Sequence, residues 1–290
     1  MKKKIFYWSP CLNPVGTIKS TINSAISLKK FNQDYDVSII NACGEWDEYT
    51  EILNKNSVNL INLNFKYFKI LPKQGYLGSR LSYIIIFVLS FLPLFFLLKR
   101  QKPDKIMLHL ITSLPLTLLN LFKFKTEFIL RISGNPRLNV IRKLFWKTIS
   151  NKIKIITCPT LDLKKNIENH EIFNQKNLYH LPDAILKIEN FKVSKDLPIG
   201  LSFASNKRII LSAGRLTRQK NFSYLIEEIS EFLKFNNEFV LMILGEGEEK
   251  KKLTHLIDKK KLKNKVFLLG FKKDIFNYMK NSEIFILSSL

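Results

Sequence analysis

Cysteine and glycine are scarce in this 290-residue sequence. The three cysteines, Cys11, Cys43 and Cys158, are odd in number and far apart, which excludes a disulfide framework that uses all of them and a metal site built on paired cysteines. We therefore interpret them as reduced thiols in a cytosolic setting. Only ten residues are glycine, against an average usage of roughly 7%, so collagen-like and low-complexity classes are excluded and each glycine points to a backbone requirement.

Acidic residues are also few. The chain has 24 of them against 47 lysines and arginines, which gives a formal net charge of +23. Such an excess favours anionic partners: nucleic acid, an acidic membrane surface or phosphorylated small molecules. No helix-turn-helix, zinc or RNA-binding signature accompanies the charge, so we do not expect a nucleic acid partner. The first apolar run, Ile5–Trp8, stops at Ser9-Pro10 and is too short for an export signal.

Short apolar runs alternate with segments of helical periodicity along the chain. This pattern predicts an α/β fold with two doubly wound domains, each built on a parallel sheet. We expect an amino-terminal domain over residues 1–182, a linker over 183–206 and a carboxyl-terminal domain over 207–290. The predicted strands are Ile5–Trp8, Val37–Asn41, Asn59–Leu63, Lys105–Leu110, Phe128–Ile132, Ile153–Thr157, Arg208–Ser212, Phe239–Leu244, Val266–Leu269 and Ile284–Leu287.

The most apolar segment is Leu81–Leu98, which is flanked by Arg80 and by Lys99-Arg100. Its length reaches the lower limit for a helix that spans a bilayer. A span would place the strands before and after it on opposite sides of the membrane, and Pro93 interrupts the run. We favour a helix that packs on the sheet and also touches the membrane in its plane; a plain buried helix and a span or hairpin are the alternatives.

Two cations follow the predicted strand Arg208–Ser212. Gly214 allows a tight turn there, Arg215 offers a planar fork of donors, and Lys220 places a second charge at the start of the next helix. In open α/β sheets ligands bind outside the carboxyl ends of strands, and two cations at a helix start suit a diphosphate. The alternative is a basic, solvated loop.

Glycines follow consecutive predicted strands of the second domain: Gly214, then Gly245 and Gly247, then Gly270. Their placement predicts a common binding edge, although a single G-x-G is more often only a turn. In the first domain, Gly16 and Thr17 stand at a helix start, where free N–H groups bind anions or where an ordinary capped loop lies.

Four runs together resemble one known family: "AGRLTRQKN", "LGEGEEKKKL", "LLGFKKD" and "EIFILSS". In order, spacing and strand context they are similar to the donor-binding domain of GT-B glycosyltransferases, specifically glycosyltransferase family 4. The resemblance implies a GT-B fold, in which two Rossmann-like domains face a cleft and the second is incomplete. It is strong over residues 207–290. The first half matches more loosely, through Pro14–Thr17 and "KPDKIMLHLITSLP".

The resemblance implies a nucleotide-sugar site without a metal or another cofactor. Arg215 and Lys220 would clamp the diphosphate and stabilise the leaving group, so they are the implied catalytic residues, and the configuration at the sugar carbon would be retained. The residues implied in donor binding are Gly16, Thr17, Gly214, Gly245, Glu246, Phe271 and Lys272.

One D-x-D sequence, the pattern of a metal site, is present at Asp34 and Asp36. It comes just before a predicted strand, and we interpret it as a charged loop.

The first domain departs from its relatives in one place. Many of them carry a histidine at the end of the strand that here ends at Arg131, with Ser133 after it. His109 ends the preceding strand and is the candidate catalytic residue on the acceptor side. A satisfied core or loop histidine is the alternative interpretation.

A second departure concerns two glutamates that the family carries eight positions apart after its last donor-domain strand. This sequence ends at Leu290, where that motif would begin, so we expect a truncated chain. The implied function is sugar transfer from a nucleotide-diphosphate donor to a glycan or polyprenyl-linked acceptor in bacterial envelope polysaccharide synthesis. The expected location is cytoplasmic and peripheral, on the anionic inner face of the membrane. The alternatives are an inactive fragment that at most binds nucleotide and a membrane-associated GT-B protein such as a sugar-nucleotide epimerase.

Overall fold

The computed structural model describes residues 2–12, 16–63, 66–72, 75–136, 138–184, 206–272 and 274–290. The chain divides into two compact units, Met1–Ile185 and Leu186–Leu290. The predicted linker, residues 183–206, lies outside the described residues from 185 to 205. Its first two residues, Asp183 and Ala184, hydrogen bond to the first unit.

Within the described residues, the first unit holds seven strands in one sheet, and all of its pairings are parallel. The strands are β1 (Lys3–Trp8), β2 (Tyr35–Asn41), β3 (Asn59–Asn62), β4 (Lys105–Leu108), β5 (Glu127–Arg131), β6 (Ile155–Cys158) and β7 (Leu178–His180). The helices are α1 (Gly16–Phe31), α2 (Thr50–Lys55), α3 (Gly75–Gln101), α4 (Ser113–Leu121), α5 (Val140–Ile149) and α6 (Leu161–Asn169).

The order of the first sheet is β3-β2-β1-β4-β5-β6-β7, so the chain winds outward in both directions from β1. The last four residues of β1 are buried because helices cover both faces of the sheet. One core lies against α1 and α2, and a second lies against α3 to α6. The point where the order reverses, between β1 and β4, is where ligands bind in sheets of this kind.

The second unit repeats the arrangement with four described strands in the order β10-β9-β8-β11, again all parallel. Its strands are β8 (Arg208–Ala213), β9 (Phe239–Leu244), β10 (Val266–Gly270) and β11 (Ile284–Phe285). Its helices are α7 (Phe222–Phe235), α8 (Lys250–Lys259) and α9 (Ile275–Lys280). Every residue of β9 is buried, while α7 and α8 cover one face and α9 covers the other. The order reverses between β8 and β11.

Several predicted boundaries shift. The strand predicted to run to Leu110 ends at Leu108, because the chain turns through a positive φ of 47° at Ile111. Helix α5 begins at Val140, because the side chain of Asn139 caps it by accepting the N–H of Arg142 at 2.9 Å. The predicted apolar segment Leu81–Leu98 lies inside the longer helix α3.

Candidate functional site

Three neighbouring strands of the second sheet reach glycine at the same edge. Gly214 follows β8, Gly245 follows β9, and Gly270 closes β10. The N–H of Gly214 donates to the Leu244 carbonyl at 2.9 Å, and the N–H of Gly245 donates to the Gly270 carbonyl at 2.8 Å. The structure therefore brings these glycines together at one edge of the sheet.

At two glycines that follow β9, Gly245 and Gly247, a side chain would collide with backbone atoms. Gly245 has a φ of +145°, and a Cβ there would lie 1.8 Å from the carbonyl oxygen of Gly214. A Cβ on Gly247 would lie 2.3 Å from the carbonyl oxygen of Leu216. Backbone packs directly on backbone at Gly245 and Gly247, so only glycine fits at these two positions.

Arg215 and Lys220 stand at this edge, beside the point where the strand order reverses. Arg215 is exposed. The stem of Lys220 lies over Gly214, and its Nζ is 3.3 Å from the Ser289 Oγ. The hydroxyl of Ser288 donates to the Lys220 carbonyl at 2.9 Å, which fixes the turn from the far side. Among the described residues neither cation has a carboxylate within ion-pair distance, so both charges are available to an anion.

The start of α7 adds a second source of positive potential. Asn221, the residue before the helix, has a positive φ of 51°, and its side chain does not cap the helix. Helix amino termini carry unsatisfied N–H groups and the positive end of the helix dipole. An anion held by Lys220 would therefore lie near the first turn of α7.

Three further predicted residues lie close by in sequence but differ in environment. The carboxylate of Glu246 binds Lys250 Nζ at 3.0 and 3.1 Å, and its Oε1 closes over Gly270. Phe271 is 63% exposed and Lys272 is exposed. The predicted contacts of all three residues with the donor stay predictions; the Glu246 carboxylate is held by Lys250, the first residue of α8.

In the first unit, His109 lies at the corresponding point of the sheet, just past β4. It is 4% exposed, and its Nδ1 is 3.3 Å from the Thr21 Oγ1. Burial, and then the charge of Arg131, lower the pKa of His109 to about 3. Its Nε2 is buried and has no partner among the described residues. At neutral pH this ring is therefore uncharged, and its predicted catalytic role stays a prediction.

Gly16 and Thr17 form the first residues of α1, beyond the carboxyl end of β1. Gly16 is exposed with open space where a Cβ would be, and the Thr17 carbonyl accepts the Thr21 hydroxyl at 2.8 Å. The structure places both in the first turn of α1, in the first unit. Their predicted approach to donor phosphates stays a prediction.

Sequence reasoning missed a buried ion pair beside His109. Arg131, at the end of β5, is 3% exposed, and its Nη2 donates to the Asp183 Oδ1 at 2.5 Å. Asp183 also accepts the Ser20 hydroxyl of α1 at 2.6 Å. An arginine inside the apolar run "FILRI" signals a buried partner, but the partner is 52 positions away along the chain.

Comparison with protein families assigns the second unit. Residues 195–290 match the family described as glycosyl transferases, group 1. The chain carries a group 1 glycosyltransferase domain. Its glycine-lined edge, with Arg215 and Lys220, is thus part of that domain. This match, together with the relatives below, confirms the predicted resemblance to glycosyltransferase family 4.

Two curated relatives illustrate the similarity. An uncharacterized glycosyltransferase of Methanocaldococcus jannaschii is 31% identical over 211 residues, which is 67% of this chain and 52% of that protein. An N-acetylgalactosamine-N,N'-diacetylbacillosaminyl-diphospho-undecaprenol 4-alpha-N-acetylgalactosaminyltransferase of Campylobacter jejuni is 29% identical over 180 residues, 59% of this chain and 47% of that protein. The chain thus spans about half the length of these two relatives.

Solved structures support the fold. A glycosyltransferase from Rickettsia africae superposes with a TM-score of 0.71 at 18% identity, over 99% of this chain and 73% of that one. At this identity the likeness bears on fold alone. The predicted mixed α/β fold of the GT-B kind, with parallel sheets in both units, is confirmed.

Proposed function

We propose that this group 1 glycosyltransferase domain binds a nucleotide-diphosphate sugar at the carboxyl edge of the second sheet and serves sugar transfer with retention of configuration. The observation that carries the proposal is the pair Arg215 and Lys220. These two cations have no carboxylate partner among the described residues, and they lie at the sheet edge where glycines stand at the ends of three neighbouring strands. A diphosphate carries the charge and oxygen acceptors that such an arrangement neutralises.

The proposed reaction does not require a protein side chain as general base. A bond forms between the acceptor oxygen and the anomeric carbon, the bond from that carbon to the diphosphate oxygen breaks, and the acceptor proton passes to the departing diphosphate. Negative charge grows on the diphosphate as the bond breaks, so Arg215 and Lys220 stabilise the transition state more than the ground state.

We further propose that the acceptor is a glycan or a polyprenyl-linked saccharide in bacterial envelope polysaccharide synthesis. Two observations support this. The Campylobacter jejuni relative is named for a diphospho-undecaprenol acceptor, and another relative, from Erwinia amylovora, is named for amylovoran biosynthesis. The family match and these names favour sugar transfer over sugar-nucleotide epimerisation, the alternative raised by the sequence.

Calorimetric titration with UDP and with GDP tests donor binding. We expect one of the two to bind, and Arg215→Ala to weaken it about 10- to 100-fold, as loss of one charge-assisted hydrogen bond implies. Arg218→Ala is the matched control, because Arg218 is an exposed arginine of the same loop, and it should leave binding near the wild-type value.

Two results would contradict the proposal. Equal losses in the two arginine variants would reduce the effect to general charge, and absence of binding to either nucleotide in the wild-type chain would remove the donor site. A chain that binds nucleotide and releases UDP from UDP-sugar without a glycosylated product would instead support the epimerase alternative.

A further inference from the structure

Helix α3 has more apolar surface than the first unit covers. No charged residue lies between Arg80 and Lys99, and the helix is long and apolar enough to cross a membrane by length and composition. Only 28% of its most apolar window is buried. A core helix of a water-soluble domain would be mostly covered, so among the described residues this helix has no partner for most of its surface.

The sheet rules out a transmembrane position for α3. The helix connects β3 to β4, and both strands pair in parallel within the same sheet. Three side chains of α3 itself, Ile86, Leu94 and Leu98, are fully buried in the core between the helix and the sheet. Because both ends of α3 return to one sheet and one side of the helix is packed against it, the exposed side faces outward along the helix length.

The exposed side is a continuous stripe. Large apolar residues recur along it at steps of three and four, and each is between 47% and 80% exposed. At 1.5 Å per residue the stripe is about 28 Å long. Its members are Leu77, Leu81, Ile84, Val88, Leu92 and Phe96.

Two neighbouring helices extend this surface. Helix α4 packs between α3 and α5, and the Phe122 ring after α4 lies 4.6 Å from the Phe95 ring of α3. The first turns of α5 expose Val140 at 72% and Ile141 at 78%. We call this surface the α3–α5 face; it consists of the α3 stripe together with Leu121, Phe122, Val140, Ile141 and Leu144.

The part of the chain that carries the α3–α5 face is strongly basic. Residues 64–161, which contain the three helices, include 17 lysines and arginines but only two acidic residues, Asp104 and Glu127. The side chain of Glu127 is paired with Lys105 in the sheet. Exposed Lys99 and Arg100 follow the stripe at one end, and exposed Lys147 lies on α5. An apolar stripe bordered by cations complements an anionic bilayer: acyl chains below and acidic headgroups at the rim.

We propose that the α3–α5 face docks in the plane of an anionic lipid bilayer. The inference deepens the proposed function, on which it rests for the lipid-linked acceptor that would be delivered at the same surface. Since α3 leads into the start of β4, its amino-terminal half lies toward the carboxyl edge of the first sheet, near His109. A docked α3–α5 face therefore places that edge next to the membrane surface.

Sedimentation of the full chain with vesicles tests this proposal. We expect binding to phosphatidylglycerol-containing vesicles, little binding to pure phosphatidylcholine, and weaker binding as salt rises from about 0.1 to about 1 M, where the Debye length falls from about 10 to about 3 Å. The variant I84Q/V88Q/L92Q should lose at least about tenfold in vesicle affinity. These side chains are outside the core, so the variant should keep the wild-type unfolding midpoint.

The matched control is F31Q/Y224Q/F235Q, which removes three exposed aromatic side chains outside the α3–α5 face. It should bind vesicles like the wild type. Equal losses in both variants, or no vesicle binding by the wild-type chain, would overturn the proposal. A concentration-dependent dimer that the α3 variant abolishes, without vesicle binding, would assign the face to a second copy instead. Nucleotide binding should be unchanged in the α3 variant, which separates this test from that of the donor site.

Discussion

At the residue scale, the second unit relies on glycines that differ in what they tolerate. A Cβ at Gly245 would collide with the backbone carbonyl of Gly214, and its φ of +145° is unfavourable for any other residue. A Cβ at Gly214 would meet only the flexible side chain of Lys220, at 3.3 Å. The two positions are neighbours at one edge, yet only one of them is fixed by rigid backbone.

We therefore expect Gly245→Ala to lower the free energy of unfolding of the second unit by more than about 3 kcal/mol, since strain and displaced backbone add. Gly214→Ala should cost less than about 1 kcal/mol, because the lysine stem can move. Urea denaturation of both variants measures the difference. Similar losses would mean that the close approach at Gly245 does not govern this edge.

A second residue-scale effect concerns His109, whose ring is buried near Tyr7, Thr21 and the Arg131–Asp183 pair. Its pKa in the folded protein is about 3, below the usual 6.5. Between these two pH values the unfolded chain therefore binds a proton at His109 that the folded chain does not bind. The stabilisation from the neutral ring is complete above pH 6.5 and is lost as pH falls toward 3.

Replacing this ring by a group that does not titrate should remove that dependence. In His109→Asn, the stability advantage of the wild type should shrink by about 1.4 kcal/mol for each pH unit between 6.5 and 3. Denaturation midpoints collected over that range provide the measurement. Parallel pH profiles for the two proteins would show that the histidine titrates normally.

At the element scale, Asp183 joins three parts of the first unit. It accepts from Ser20 of α1 and from Arg131 of β5, and it follows β7 by three residues. Arg131 also donates to the Leu181 carbonyl at 3.0 Å, and Asn23 donates to the Ala184 carbonyl at 2.7 Å. The segment after β7 is thereby attached to α1 and to the sheet.

Removing only one charge of the Arg131–Asp183 pair should lower the free energy of unfolding. Asp183→Asn leaves the buried guanidinium of Arg131 without its countercharge, and we expect a loss of about 3–5 kcal/mol. The double variant R131M/D183L removes both charges and should recover most of that loss. Unfolding free energies of the single and double variants form the test, and a single variant within about 0.5 kcal/mol of the wild type would contradict it.

Elements with a clear apolar period were predictable, and those without one were not. Strands β8, β9 and β10 are apolar runs that end at or next to a glycine, so their positions follow from the sequence within a few residues. Strand β7 was not predicted, because only Leu178 of its three residues is buried. Helix α4 was not predicted either, because five of its nine residues are buried, which obscures a helical period, and because Pro115 lies in its first turn. The Arg131–Asp183 pair depends on the tertiary fold.

At the scale of the whole molecule, the sequence predicted two α/β units and a basic surface, and only the structure locates where the charge matters. The charge is concentrated over residues 64–161, which form α3 to α5 and their strands. Arg215 and Lys220, the cations proposed to bind the donor, lie in the second unit, and the apolar face lies in the first. Composition alone could not separate these two uses of positive charge, since both produce the same net value.

The placement of α3 between β3 and β4 has a consequence for biosynthesis. Residues 75–101 leave the ribosome before β4 emerges, so a helix of near-spanning length is presented to the insertion machinery ahead of the strand that secures it. Correct folding requires the nascent helix to escape the translocon. Reporter domains inserted before Gly75 and after Gln101 must then occupy one compartment.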